Sequence, residues 1–108
     1  MDPTRPWPFP DPPGTEAITL DRILSGDSPL RLVSHDEEDG AWQFLDGEHV
    51  FEEDAVVVAL GEILQFDPGL AELADLPVGW SAWRATPGAA WRRARGDPPT
   101  TIGGGASP

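Results

Sequence analysis

The residues best suited to chemistry are four consecutive acids at positions 36–39. Apolar segments precede and follow them, so we predict that they lie at the tip of a turn between two strands. His35 precedes the acids, and Trp42 and Phe44 follow them. Because adjacent carboxylates concentrate negative charge, the field at this tip favours a positively charged partner.

A metal site is the less favoured use of these acids. Consecutive acids in an extended turn point alternately apart, and the run lacks the spaced carboxylates and distant glutamate of a calcium-binding loop. His35 and His49 lie close to carboxylates and are candidates for a general base, although a polar surface position is the favoured interpretation of both. The chain has no cysteine, and no serine lies in a nucleophile-elbow motif. We therefore predict no catalytic residue, no metal ligand and no cofactor.

Charge and composition narrow the class of partner. The 108 residues carry a net charge of −12, and every basic side chain is arginine. This balance disfavours nucleic acid, which needs a basic surface, and favours a basic protein or simple solubility. No secretory signal is visible, and the longest apolar run, residues 55–60, is too short to span a bilayer. We predict a cytoplasmic protein without membrane contact.

Three regions divide the chain. Prolines in residues 1–13 predict an extended segment, and residues 96–108, rich in glycine and proline, predict a disordered tail. Between them, residues 14–95 are expected to form a single α+β domain. Within the first region, residues 7–10 are expected to pack one aromatic ring on the domain, the alternative being a proline-rich ligand motif.

Local signals place the secondary structure. Thr19 is a suitable N-cap for a helix that Gly26 ends. Strands are predicted at 30–34 and 41–45. Residues 55–60, with three successive valines, favour a buried strand over a helix that begins near Glu52.

The second half of the chain is marked by proline and glycine. Asp67-Pro68 is a helix start, with aspartate as the cap and proline at the first helical position. A final hairpin over 79–94 turns at Thr86-Pro87-Gly88, a type II pattern. Trp80, Trp83 and Trp91 are expected in the core. The alternative is a stacking surface shared with three basic residues, Arg84, Arg92 and Arg93.

Two resemblances add to these patterns. Residues 34–44, with Asp67-Pro68 and residues 73–80, resemble a group of short bacterial proteins without assigned function. A wider set of positions carries the second resemblance: Gly40, Trp42, Phe44, Gly47, Glu48, Leu60, Ile63, Asp67, Pro68, Leu73, Asp75, Pro77, Gly79 and Arg84. Their order is similar to a bacterial immunity-protein domain of polymorphic toxin systems. This resemblance implies acidic loops that meet a basic toxin, and it carries over no catalytic residue.

These observations predict an α+β fold, a small and mostly antiparallel sheet with two or three short helices packed on one face. The leading function is a non-catalytic, immunity-like protein-binding domain with a basic partner such as a toxin. Its predicted contact surface is acidic and consists of Asp36, Glu37, Glu38, Asp39, Glu48, Glu52 and Glu53. The alternatives are a small ligand-binding or metal-dependent enzymatic domain built on His35 and nearby acids, and a purely structural module.

Overall fold

A computed structural model describes residues 7–48 and 51–96. The predicted tail after Gly96, the first six residues and His49 lie outside these ranges. The main elements in chain order are β1 (Glu16–Leu20), α1 (Asp21–Leu24), β2 (Leu32–His35), β3 (Trp42–Leu45), β4 (Ala55–Ala59), α2 (Leu60–Phe66), β5 (Trp80–Trp83) and β6 (Arg92–Arg95). Two short 3₁₀ helices precede β4 and follow α2, at Glu52–Asp54 and Pro68–Leu73.

The described strands form one mixed sheet of six strands in the order β4-β1-β3-β2-β5-β6. Strand β1 pairs with β3 in parallel, and every other neighbouring pair is antiparallel. The fold is therefore α+β with a mostly antiparallel sheet, as predicted. The sheet is larger than the small one expected, because residues 16–20 form a full strand, while β6 corresponds to the second strand of the predicted final hairpin.

The core combines buried strand residues with apolar residues of the short helices. Along β3, Trp42 and Phe44 are buried while the intervening Gln43 is half-buried. This alternation follows from the period of two along a strand. The buried helical residues that join them in one cluster are Ile23, Leu60, Ile63, Leu70 and Leu73.

Phe9 joins the N-terminal segment to this core. Its side chain is only 4% exposed, and its ring meets the Trp42 ring edge-on, with centroids 5.0 Å apart. Trp42 Nε1–H donates to Asp11 Oδ2 at 2.8 Å. The prediction that one aromatic of residues 7–10 packs on the domain is confirmed, and the packed region extends N-terminal to Gly14.

Several local predictions are confirmed. Asp67 Oδ1 accepts a hydrogen bond from Gly69 N–H at 3.1 Å, which caps the 3₁₀ helix that begins at Pro68. The predicted type II turn places Gly88 at φ +92°, and Ala89 N–H donates to the Thr86 carbonyl at 3.0 Å. Residues 55–59 form a strand, the conformation preferred over a helix.

Other local predictions are wrong or hold only in part. Thr19 does not cap a helix, because β1 continues to Leu20, and its buried hydroxyl donates to the Phe44 carbonyl at 2.8 Å. Strand β4 is not buried. It forms one of the two edges of the sheet, and Val57 is 59% exposed. The prediction that three tryptophans lie in the core holds in part: Trp80, Trp83 and Trp91 are half-buried, and Trp80 and Trp91 pack against the core.

Within the described ranges, no helix has the length and apolar character needed to cross a membrane.

Replacing Phe9 tests its contribution to the core. The substitution F9A leaves a cavity beside Trp42, so we expect the free energy of unfolding in urea to fall by about 3 kcal/mol. The control is F66A, which truncates a phenylalanine that is 47% exposed and should cost less than about 1 kcal/mol. Equal losses in the two variants would show that Phe9 does not support the core.

Candidate functional site at the acidic hairpin tip

The acidic tip closes the hairpin of β2 and β3. His35 pairs with Trp42 in the antiparallel register, so the turn lies between them. Asp36 N–H donates to the Ala41 carbonyl at 2.8 Å, and Gly40 N–H donates to the Asp36 carbonyl at 3.0 Å. Gly40 has φ +71°, a conformation that glycine adopts without strain. The sequence prediction of a turn here is confirmed.

Two of the four tip carboxylates hold the turn itself. Asp36 Oδ1 accepts a hydrogen bond from Glu38 N–H at 2.8 Å, and Asp39 Oδ1 accepts one from Ala41 N–H at 3.0 Å. Such side-chain bonds to the backbone two residues on are characteristic of aspartate in turns. Glu37 and Glu38 are exposed and form no ion pair with any described residue. Their charges therefore remain available to a partner.

A depression of about 480 Å³ lies beside the tip. Its lining includes Ser34, Glu37, Glu38, Gln43, Trp80 and Ser81. With Asp36, three carboxylates and several uncharged polar groups thus surround one half-buried indole. A ring face accompanied by carboxylates suits a cationic group such as guanidinium or ammonium.

Gly79 lets the Glu37 side chain lie against the start of β5. Gly79 N–H donates to the His35 carbonyl at 2.7 Å, which ties β5 to the base of the tip. An added Cβ at Gly79 would lie 2.7 Å from Glu37 Oε1 and 3.5 Å from Glu37 Cβ. The glycine also has φ +84°, so both backbone conformation and space favour glycine here.

His35 is not the surface histidine that the sequence suggested. It is 8% exposed, and its ring stacks on Trp42 with centroids 3.8 Å apart. Its Nδ1 lies 2.7 Å from the Leu76 carbonyl oxygen, which only accepts, so Nδ1 carries the proton. No described carboxylate lies within hydrogen-bonding or ion-pairing distance of this ring. His35 thus packs the base of the tip without an acid–base partner.

No group of three or more histidine, cysteine, aspartate or glutamate side chains in the described ranges is arranged to hold a metal ion.

The seven acids of the predicted contact surface do not form one surface. Strand β3 begins at the tip and ends at Leu45, so Glu48 lies beyond the opposite end of the sheet. Glu52 and Glu53 lie at that same end, because they precede β4, which runs back alongside β1. Glu48 is also paired, since its Oε2 lies 3.3 Å from Arg31 Nη2. Residues 36–39 are therefore separate from Glu48, Glu52 and Glu53.

Sequence reasoning missed Asp46, which organises this second end. Its side chain is 1% exposed and accepts hydrogen bonds from Arg22 Nε at 2.7 Å, Ser28 Oγ at 2.6 Å and Glu48 N–H at 3.0 Å. Arg22 Nη1 also contacts Asp54 Oδ2 at 3.0 Å. The network joins α1, through Arg22, to the segment that follows it, to the turn after β3 and to the 3₁₀ helix before β4. The only signal in the sequence was Asp46-Gly47, which indicates a turn but not its partners.

The same contacts set the ionisation of Asp46. Burial alone would raise the pKa of this carboxyl, but the hydrogen bonds from Arg22, Ser28 and Glu48 and the charge of Arg22 lower it from 3.8 to about 2. Asp46 is therefore ionised at neutral pH and forms a buried ion pair.

Arg84 is buried rather than part of a basic stacking surface. Its Nε and Nη2 donate to the Leu30 carbonyl at 3.1 and 2.9 Å, and Nη2 pairs with Asp67. The Trp91 ring lies against the guanidinium, whose central carbon is 4.3 Å from the ring centroid. The predicted alternative of an exposed tryptophan–arginine surface that includes Arg84 is therefore wrong.

The contact of Gly79 with Glu37 can be tested against a second glycine of positive φ. We expect G79A and G88A to lose similar free energies of unfolding, about 1–2 kcal/mol each, because both force alanine into the left-handed region. Gly88 has φ +92° and no atom within 4 Å of an added Cβ. Only G79A should shift the carboxylate ¹³C resonance of Glu37, since that flexible group must move. A much larger loss for G79A would mean that Glu37 is fixed in place.

The lowered pKa of Asp46 predicts a pH dependence of stability. A depressed folded-state pKa stabilises the fold above pH 3.8, and this contribution is lost as the pH falls through about 2. Near neutral pH, we expect the free energy of unfolding of wild type to exceed that of D46N by about 1–2 kcal/mol. This figure allows for solvent screening at the partly exposed Arg22. Urea unfolding should show this difference shrinking between pH 4 and pH 2.

The matched control for this experiment is D75N. The hydrogen bond and charge of Arg93 lower the pKa of Asp75 as well, but the side chain is 80% exposed. Its removal should therefore change stability much less than the removal of Asp46. A difference between wild type and D46N that stays constant down to pH 2 would contradict the buried ion pair.

Comparison with protein-family models, with curated proteins and with solved structures finds no match to this chain. The similarity to immunity proteins stays a prediction. The features that bear on function are the acidic tip, the depression beside it and the distribution of charge.

Proposed function

We propose that this chain is a non-catalytic protein-binding domain, of the kind found in immunity proteins, whose acidic hairpin tip binds a basic surface of another protein. The observation that carries the proposal is the pair of exposed glutamates, Glu37 and Glu38, which no described cation neutralises. A toxin with a basic surface is the partner class that fits this charge. No step of the proposed function requires a reaction or a cofactor.

The tip is suited to binding because its backbone is already ordered. The bonds accepted by Asp36 and Asp39 and the bond donated by Gly40 hold the turn, and the Gly79 bond ties its base to β5. An ordered loop loses less conformational entropy on association than a mobile one. Glu37 and Glu38 can therefore pair with a partner at a smaller entropic cost.

The depression gives the proposed contact a specific receptor. An arginine or lysine side chain of the partner would enter it, with its charged group over the Trp80 ring and near the two glutamates. Cation–π contacts contribute about 0.5–2 kcal/mol, depending on how far the cation is desolvated. Charge-assisted hydrogen bonds to the carboxylates add direction. This combination favours a basic side chain over a dissolved metal ion.

The other acids act at longer range in this proposal. Glu48, Glu52 and Glu53 lie at the opposite end of the sheet and do not share the contact. The chain as a whole has a net charge of −12. These three glutamates therefore still contribute to a field that attracts a basic protein and speeds encounter. Beyond about 8–10 Å, physiological salt screens that attraction strongly.

Two finer features belong to the same proposal. We place the short helices on one face of the sheet, which is supported by the alternation along β3, where Trp42 and Phe44 are buried and Gln43 and Leu45 are half-buried. We also place the protein in the cytoplasm, which a chain without cysteines suits.

A charge-neutralising pair of variants tests the proposed contact. The double variant E37Q/E38Q removes two charges at the tip, and E52Q/E53Q removes two from exposed, adjacent glutamates at the other end. The probe is the peptide acetyl-Gly-Arg-Gly-Arg-Gly-amide, titrated while the Trp80 indole N–H resonance is followed by NMR. Because exposed ion pairs contribute about 0.2–1 kcal/mol each, we expect E37Q/E38Q to weaken binding by about two- to tenfold.

The control separates local contact from general attraction. E52Q/E53Q changes the net charge by the same amount, so its affinity should stay close to that of wild type. Equal weakening in both variants would mean that only the overall charge attracts the peptide. Absence of any Trp80 shift in wild type would remove the depression from the proposal.

A further inference from the structure

The edge of the sheet formed by β6 is basic, whereas the chain as a whole is acidic. Strand β6 is outermost, and no described strand pairs with its outer side. It carries three exposed arginines, Arg92, Arg93 and Arg95, in a chain whose net charge is −12. The inference drawn from this edge does not rest on the function proposed for the acidic tip.

The register shows which backbone groups of β6 are free for another strand. Gly96 N–H donates to the Gly79 carbonyl at 2.6 Å, and the same ladder pairs Ser81 with Ala94 and Trp83 with Arg92. In an antiparallel pair, bonded residues alternate with residues whose N–H and C=O point away. The N–H and C=O groups of Arg93 and Arg95 therefore point outward from β5.

The arginines of this edge differ in how they are paired. Arg93 Nη1 pairs with Asp75 at 2.7 Å, and its Nη2 donates to the Glu72 carbonyl at 2.6 Å. This contact anchors β6 to the segment after α2. Arg92 and Arg95 have no carboxylate within ion-pairing distance in the described part of the chain. They are thus the basic groups of this edge available to an outside anion.

We propose that the outer edge of β6 binds an extended acidic segment of another protein as an added β-strand. The outward groups of Arg93 and Arg95 would supply two donors and two acceptors to the new ladder, as in strand addition to a sheet edge. Arg92 and Arg95 are three residues apart, so their side chains lie on opposite faces of the sheet. A segment with two carboxylates three residues apart would place one beside each arginine.

Charged edge strands also protect a sheet against aggregation. On β6, the positive charge opposes pairing with a second copy of the same strand but favours pairing with an acidic strand. A second β6 would bring arginine opposite arginine, which is unfavourable. An acidic strand reverses that sign and gains attraction from the same residues. Nucleic acid fits less well, because phosphate cannot donate a hydrogen bond to the outward C=O groups, whereas the N–H groups of an added strand can.

The variants R95P and R95A test how much the outward backbone N–H of Arg95 contributes to binding of the added strand. Both variants remove the Arg95 charge, but only proline removes the outward N–H. The internal ladder is kept in both, because the Arg95 N–H does not bond to β5, and proline is tolerated at such edge positions. The two variants should therefore melt within a few degrees of each other.

The probe is the peptide acetyl-Thr-Glu-Val-Thr-Glu-Val-Thr-amide, with lysine in place of both glutamates as its control. We expect wild type to bind the acidic peptide with NMR shifts at the amides of Arg93 and Arg95, and not to bind the lysine peptide. R95A should weaken binding through the lost charge. R95P should weaken it by a further factor of about three to ten, which corresponds to one backbone hydrogen bond.

Three results would overturn the proposal. The first is equal affinity of R95P and R95A, which would leave only a charge contact. The second is equal binding of the lysine peptide. The third is concentration-dependent self-association in sedimentation that R95P abolishes, which would make a second copy of this chain the occupant of the edge.

Discussion

The buried ion pair of Asp46 and Arg22 is the interaction on which the arrangement of this fold depends. It lies where β3 ends and, through its hydrogen bonds, joins α1, the segment after α1 and the turn after β3. A buried carboxylate is stable only when paired and hydrogen-bonded, so the fold has to bring Arg22 and Ser28 to it. Once that end of the β2–β3 hairpin is fixed, the acidic tip projects from the other end.

The two ends of the sheet therefore treat the same residue types differently. At the Asp46 end, Asp46 and Asp54 pair with Arg22 and Glu48 pairs with Arg31, whereas Glu52 and Glu53 are exposed and unpaired among the described residues. At the tip, the aspartates bond to backbone N–H groups and the glutamates contact no described cation. Charge is neutralised where segments must be joined and is left free where the loop meets solvent. Unpaired glutamates occur at both ends, but of these pairs only Glu37 and Glu38 line the depression beside Trp80, and this distinguishes the tip.

Local chemistry was predictable from the sequence, whereas distant pairing was not. The Asp67-Pro68 cap, the turn at Pro87-Gly88 and the acidic turn depend on residues a few positions apart, whose φ preferences and short side chains determine the conformation. Arg84 instead bonds to Leu30, 54 positions away, and His35 bonds to Leu76, 41 positions away. Neither burial has a local signal, because an arginine or histidine is equally acceptable at the surface. For the same reason the sequence grouped seven acids that the topology separates.

Opposite charges come close to each other near Trp80 without neutralising one another. Arg95 pairs with Trp80 in the ladder, while Trp80 and Glu37 both line the depression. No ion pair joins Arg95 to Glu37 or Glu38, which agrees with the small gain that an exposed pair offers over solvation. The aspartate bonds order the backbone of the tip, and the β5–β6 ladder orders the backbone of Arg95, while the charged side chains of Glu37, Glu38 and Arg95 remain exposed. The acidic tip and the basic edge therefore stay separate, and each presents its own charge to a different class of partner.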